Sequence, residues 1–302
     1  MRPNVDQART NPYPLETETG EACQNDEGDA ADLEDAGRRW VEYQERLDPR
    51  LERAGMVAME AAQVSEGEAV LDVGCGCGGS SLEIARRVGV SGRVLGVDIS
   101  EPMLARARER AKSAGLENLK FVRADAQTHN FDQGAFDLAF SRFGVMFFEN
   151  PVAAFANIRR ALRPGGRVGF LCWRPAQENP WILVPMMAAA QHVEMPPPPA
   201  PDEPGPFSFG DPDRVRGILS EAGFEQTSIA PYDESEPFER TAEEAVEFLQ
   251  HIGPLSRLLA DATPEKKQAV LEAVRKSLEP FAGPDGVATP RAMWIVQAVN
   301  PG

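Results

Sequence analysis

Short apolar runs alternating with helix-forming stretches predict an α/β fold: a parallel sheet with helices on both faces. A glycine cluster where the first strand passes into a helix supports the same reading. Strand signals lie at 69–73, 94–98, 119–122, 136–141 and 168–173, with helical stretches between them at 80–88, 101–114 and 151–162. Strands separated by helices require crossovers, and crossovers make neighbouring strands parallel and cover both sheet faces. Two helix starts are written in the sequence: Ser100 before Pro102, and Asn150 before Pro151, each a capping residue with proline in the first turn.

The flanking segments follow the same rules. Trp40, Val41, Leu47, Leu51, Val57 and Ala58 suggest two N-terminal helices broken near Pro49. After Trp173 the alternation stops. A Met- and Ala-rich helix is expected at 177–193, followed by a Pro/Gly stretch to Gly210. Asp211-Pro212 opens a helix closed by Gly223, ahead of a strand at about 225–231. Thr241 with Glu244 forms a capping box for a helix to about His251, and Thr263-Pro264 starts another to about Leu278. The apolar run 293–299 reads as a final strand. The expected organisation is an acidic disordered tail at 1–35 and one domain at 36–302, carrying cap or lid insertions at about 175–210 and 233–290.

Charge narrows the partners. The net charge is −16, and residues 1–35 carry ten acids against Arg2 and Arg9. Such a tail buries too little apolar surface to offset its ordering entropy. An acidic body disfavours nucleic acid at long range. No apolar run is long enough for a bilayer and no signal-peptide pattern opens the chain, so a cytoplasmic location without membrane insertion is expected. Cys23, Cys75, Cys77 and Cys172 lack metal-ligand spacing and read as reduced thiols; no metal is expected. Oligomerisation is left open.

The strongest motif is Val70-Leu71-Asp72-Val73-Gly74-Cys75-Gly76-Cys77-Gly78-Gly79. Glycine permits positive φ and lets backbone amides approach a ligand. Gly74, Gly76 and Gly79 also satisfy G-x-G-x-x-G, a pattern that suits a dinucleotide equally well. Three carboxylates separate the readings. Asp72, two residues before Gly74, suits an ammonium group and would repel a pyrophosphate. Asp98 ends the next strand, where it can accept from both ribose hydroxyls. Asp125-Ala126 follows the third strand, where a carboxylate can receive an adenine amino group. An amino acid, a ribose and a base thus find partners at successive strand tips, which favours S-adenosylmethionine (SAM) over NAD.

These stretches, with Val94–Leu104, Val122–Ala126, Phe136–Ser141 and Ala161–Arg167, resemble class I SAM-dependent methyltransferases of the ubiquinone/menaquinone-biosynthesis type over roughly 35–223. The resemblance implies a Rossmann-like doubly wound sheet of seven strands with an antiparallel last strand. It implies that Gly74, Gly76 and Gly78 form the cofactor loop, with Gly74 and Gly76 at the methionine end. It further implies that Asp98 holds the ribose, that Ile99 and Met103 flank the adenine, that Asp125 and Ala126 meet its edge, and that Ser141 faces the sulfonium.

The expected activity is methyl transfer to the oxygen, nitrogen or carbon of a small molecule. A SAM-binding interaction protein and an NAD-dependent oxidoreductase are the alternatives. Because the sulfonium already activates the methyl, no catalytic residue need stand out. His192, His251 and Tyr43 are the candidates for acid–base work, with His129 behind them. Phe143, Met146, Phe147, Phe148, Trp173 and Trp181 are candidates for the acceptor wall. Trp40 and Tyr43 are expected to close over the methionine end, with Arg39 near its carboxylate. Ser141-Arg142-Phe143-Gly144 stands where an Asn-Pro-Pro-Tyr clamp would sit in amino-nitrogen methylation of nucleobases or glutamine.

Overall fold

The computed structural model describes residues 27–200, 203–260 and 262–302, with side chains from residue 34 onward. Helices α1 (Glu27–Glu42) and α2 (Gln44–Ala61) precede the sheet. Then come β1 (Ala69–Val73), α3 (Gly79–Val88), β2 (Arg93–Asp98), α4 (Glu101–Ser113), β3 (Leu119–Arg123), β4 (Phe136–Arg142), α5 (Pro151–Ala161) and β5 (Leu162–Trp173). The C-terminal part holds α6 (Pro180–Ala189), α7 (Pro212–Glu221), β6 (Glu225–Glu234), α8 (Ala242–Leu249), α9 (Pro254–Ala260) and α10 (Pro264–Leu278). A short hairpin, β7 (Ala282–Gly283) and β8 (Gly286–Val287), leads to β9 (Arg291–Val299).

Among the described residues the main sheet has seven strands in the order β3-β2-β1-β4-β5-β9-β6. The first five pair in parallel, and β9 runs antiparallel to both β5 and β6. The expected antiparallel last strand is therefore present. Every residue of β1 is buried, as a central strand covered on both faces requires. The chain winds outward from β1 to β3, then returns to lay β4 on the other side of β1. That reversal opens a crevice at the carboxyl ends of β1 and β4, where open α/β sheets bind ligands.

Two apolar cores form. The larger surrounds the sheet and includes Leu71, Leu138, Phe155, Phe170 and Val296. The smaller joins α6, α8, α9 and α10 through Ala189, Ala245, Leu255, Val270, Val274 and Leu278. This second core, termed the cap here, draws on residues 180–189 and 242–287. Helix α2 serves both: Ala54, Ala58 and Met59 face the sheet core, while Leu47 enters the cap core.

Three expectations need correction. Residues 27–35, assigned to the tail, belong to α1; the rest of that segment, with Cys23, lies outside the described residues. The N-terminal helices part at Tyr43 (φ −97°, ψ 7°), while Pro49 lies inside α2. Tertiary contacts decide this, because the Tyr43 ring packs edge-on to Phe248 and stacks on His251 of the cap. Third, the Met/Ala-rich helix is shorter than 177–193: a 3₁₀ turn at Ala176–Glu178 precedes α6.

Candidate active site

The glycine loop leaves β1 at the crevice. Gly74, Gly76 and Gly78 take φ of +66°, +54° and +79°, the left-handed region in which a Cβ is costly. Space is equally restricted. A Cβ on Gly74 would lie 2.7 Å from the Cα of Gly144, and one on Gly76 would lie 2.8 Å from Cε of Met103. The loops after β1 and β4 therefore touch backbone to backbone. Ser141 locks that approach: its hydroxyl donates to the Val73 carbonyl (2.8 Å) and accepts from the Gly144 amide (3.1 Å). Ser141, expected to face the sulfonium, is buried and committed to this clamp. Gly144 is therefore the backbone that the glycine loop meets after β4.

Asp72 is fully buried. The hydroxyls of Ser80 (2.7 Å) and Ser81 (2.5 Å), in the first turn of α3, both donate to its Oδ2. Its Oδ1 has no partner among the described residues. Burial raises the carboxyl from its ordinary value of 3.8 to about 6, although the two serines favour the ionised form. Asp98, at the tip of β2, accepts from the Gly76 amide (2.8 Å) through Oδ2 and from the Ser100 amide (2.9 Å) through Oδ1. Burial pushes its carboxyl upward as well. Asp98 thus ties the glycine loop to the start of α4.

Ile99, beside Asp98, is exposed, and Met103 lies between the glycine loop and α1. Asp125 accepts from the Gln127 amide (2.8 Å), and Ala126 is buried with its carbonyl held by Asn157 (2.9 Å). The residues read as cofactor contacts therefore lie at the carboxyl ends of β1, β2, β3 and β4, side by side in the sheet.

Helix α2 adds a polar group that the sequence reading did not find. Asp48 pairs with Arg110 of α4 (2.7 Å) and with Arg142 at the end of β4 (3.6 Å). Gln44 donates to Asp48 (2.7 Å) and accepts from Arg106 (3.1 Å), while Arg110 also donates to the carbonyl of Cys77 (2.6 Å). A Cβ on Gly79 would lie 2.8 Å from Arg142 Nη2 and 2.9 Å from Asp48 Oδ1, so the group stands directly over the start of α3.

The acceptor candidates divide. Phe143 stacks on Trp173 (centroids 4.4 Å apart, planes 13° apart), and Trp173 meets Trp181 at 4.9 Å. Phe143 holds φ +64°, uncommon for a residue with a Cβ. Met146 is core, Phe148 packs edge-on to Phe155, and Phe147 is exposed. Trp40 and Arg39 are exposed on α1. Tyr43 and His251 come together on the cap, and Glu247 is the 3.9 Å neighbour of His251. His192 is exposed beyond α6, with no side-chain hydrogen bond, ion pair or ring contact among the described residues. His129 packs edge-on to Phe131, and burial lowers its pKa. Cys75, Cys77 and Cys172 are free and buried, with burial pushing each thiol upward.

The donor set fits an adenosyl amino acid. An orphaned buried carboxylate oxygen suits an ammonium, the glycine loop packs too closely on its neighbours for Cβ atoms, and Asp98 stands one strand over. Residues 70–166 match the family model described as a methyltransferase domain. Aklanonic acid methyltransferase DauC of Streptomyces sp. strain C5 is 36% identical over 116 residues, covering 38% of this chain and 53% of that protein. Demethylmenaquinone methyltransferase of Staphylococcus aureus strain JH9 is 33% identical over 138 residues, covering 46% and 56%. The chain thus spans about half the length of these curated relatives. Among solved structures, a Bacillus halodurans C-125 protein described as a methyltransferase superposes with TM-score 0.56 at 18% identity, covering 82% of this chain and 99% of its own. The [4+2]-cyclase SpnF superposes at TM-score 0.51 with 22% identity, covering 82% and 81%. Likeness at that identity establishes the fold alone. Residues 70–166 therefore match a methyltransferase domain in sequence, and the fold is that of the solved neighbours.

Proposed function

We propose that this protein transfers a methyl group from SAM to a small-molecule acceptor. The observation that carries the proposal is the fully buried Asp72, with one oxygen unpartnered beneath a glycine loop that Asp98 pins from the next strand. A buried carboxylate lacking a partner is costly unless a cation meets it. In this reading Asp72 receives the ammonium, Asp98 the ribose hydroxyls, Ile99 and Met103 the adenine faces, and Asp125 with Ala126 its edge. When bound, SAM supplies a methyl already activated by the sulfonium. The chain's own task is to align the acceptor and exclude water. Ser141 serves by holding the two loops together.

The acceptor side is aromatic. Phe143 stacked on Trp173, with Trp181 tilted against Trp173, suits a planar, largely apolar molecule. Aklanonic acid and demethylmenaquinone, named for the two relatives, point the same way. The net charge of −16 speaks against nucleic acid, and among the described residues no helix is long and apolar enough to cross a membrane. We place the reaction in the cytoplasm.

A metabolite extract incubated with methyl-labelled SAM tests the reading. Expected is a labelled product one CH₂ heavier than an extract component, formed together with S-adenosylhomocysteine. The fold shared with a [4+2]-cyclase supplies the second reading: consumption of an acceptor with no label transferred would select it. Absence of any thermal shift with SAM or S-adenosylhomocysteine would remove the cofactor assignment altogether.

A further inference from the structure

The group over the start of α3 is unusual in its charge order. Two guanidiniums, Arg110 and Arg142, converge there, and Arg142 is only 14% exposed at its side chain. Beneath them lies Asp72, whose charge acts on Arg142 and whose Oδ1 lacks a partner. A helix N-terminus flanked by two arginines is a seat for an anion. Here the anion is the carboxylate of Asp48, delivered by α2, and a Cβ on Gly79 would meet it at 2.9 Å. Gln44 supplies the remaining hydrogen bond (2.7 Å). The seat lies at the start of α3, next in sequence to Ser80 and Ser81, which hold the carboxylate expected to receive the ligand's ammonium.

We infer that Asp48 occupies the seat of the cofactor's own carboxylate, so that cofactor binding exchanges one carboxylate for the other and releases the α2 contact. The inference rests on the SAM reading above and adds a competing side chain to it. An amino-acid ligand carries its ammonium and carboxylate on one carbon. A ligand whose ammonium meets Asp72 Oδ1 therefore brings its carboxylate to the neighbouring positive charge, which is Arg142. Two carboxylates cannot share that seat without repulsion. Asp48 therefore sets a threshold: the site is competent only in the fraction of molecules whose Asp48 has left, and apparent affinity is reduced by that fraction. Because α2 also contributes Leu47 to the cap core, the exchange loosens the link between the cofactor loop and the cap.

Calorimetry with S-adenosylhomocysteine and its decarboxylated analogue, an adenosyl thiopropylamine, tests this without turnover. With Asp48→Asn, S-adenosylhomocysteine is expected to bind about tenfold tighter, as relief of a competing state occupied about nine-tenths of the time requires, while the decarboxylated analogue changes by less than about twofold. Equal or weaker binding of S-adenosylhomocysteine by a folded Asp48→Asn protein would overturn the inference. The wild-type protein gives a reading independent of the variant. If Asp48 holds the seat, the ligand's carboxylate contributes little, and the two compounds differ by no more than about fivefold, or about 1 kcal/mol. A larger preference for the carboxylate-bearing compound would overturn the exchange. Failure of both compounds to bind either protein would instead bring down the SAM reading on which the inference stands.

Discussion

Two faces of the N-terminal half of helix α2 rest on regions built by different means. Under one face lies the glycine loop, whose shape is set mainly by backbone conformation and backbone contacts: three glycines at positive φ, two serines that hold Asp72, Asp98 on the next strand, and Gly144 against Gly74. Against the other face lies the cap, held by partners far apart in the chain. Arg50 and Arg46 both pair with Glu239, Arg50 also donates to the Phe238 carbonyl (2.8 Å), and its guanidinium lies 3.8 Å from the centroid of Phe248. The loop is a device of backbone conformation and the cap one of side-chain pairing. A change in the loop should therefore remove ligand binding, whereas a change in the cap should cost stability and leave the cofactor loop intact.

The largest effect is expected from Gly74→Ala. The substitution forces a Cβ into left-handed backbone and toward Gly144, so we expect a loss of more than about 3 kcal/mol in S-adenosylhomocysteine affinity, measured by calorimetry. Retention of wild-type affinity would show that the loops separate freely. Next, Asp98→Ala removes an acceptor of two backbone amides and, in the proposed function, of the ribose. Affinity should fall by on the order of 1–3 kcal/mol with the thermal midpoint lowered less. On the cap side, Glu239→Gln leaves Arg50 and Arg46 facing a neutral amide at a site where Arg50 and Glu239 side chains are 11% and 13% exposed. Unfolding should become about 1–2 kcal/mol easier in denaturant, with S-adenosylhomocysteine affinity unchanged. A drop in affinity equal to the drop in stability would erase the distinction between the regions.

The smallest effect is one of pH. Folding raises the Asp72 carboxyl from 3.8 to about 6, so the stability this group contributes is complete below the lower value and is lost as pH rises through the upper one. Ligand binding has the opposite sign, because only the ionised carboxylate attracts an ammonium. Affinity for S-adenosylhomocysteine should rise by about tenfold between pH 5 and 7 in the wild type. It should stay flat over that range in Asp72→Asn, which calorimetry at three pH values would establish.

The same contrast explains what the sequence made legible. Strands, crossovers and the glycine loop could be read because each leaves a local mark: an apolar run, a proline after a capping residue, glycines at a strand tip. The caps came out as expected at Asn150, Asp211, Thr241 and Thr263, each accepting from a backbone amide in the following turn. The break at Tyr43 was missed because a ring contact with the cap outweighed the cost of Pro49 inside α2. Helix α9 and the β7–β8 hairpin, short elements held by tertiary contacts, were not anticipated. Asp48, Arg110 and Arg142 escaped for a related reason. On a charged helix an aspartate reads as solvated surface, and nothing local tells that two arginines from other elements will meet it. Ser141 stands near the end of β4, and its hydroxyl is consumed by Val73 and Gly144, a pairing invisible before the loops are brought together.

The position of β9 has a consequence for how the molecule is assembled. This strand, the latest of the sheet in sequence, is inserted between β5 and β6 and pairs with both, while Asn300 just beyond it anchors through its side chain to the carbonyl of Leu162 (2.9 Å). Until β9 arrives, β6 has nothing to pair with, and β5 presents a bare edge along most of its length. The strands of the parallel half, with its glycine cradle, all precede β9 in the chain, but the antiparallel half must wait for one late ribbon to slide home. Contacts so remote in sequence form slowly. During that wait the unpaired edge of β5 is the surface by which nascent chains of this protein would stick to one another.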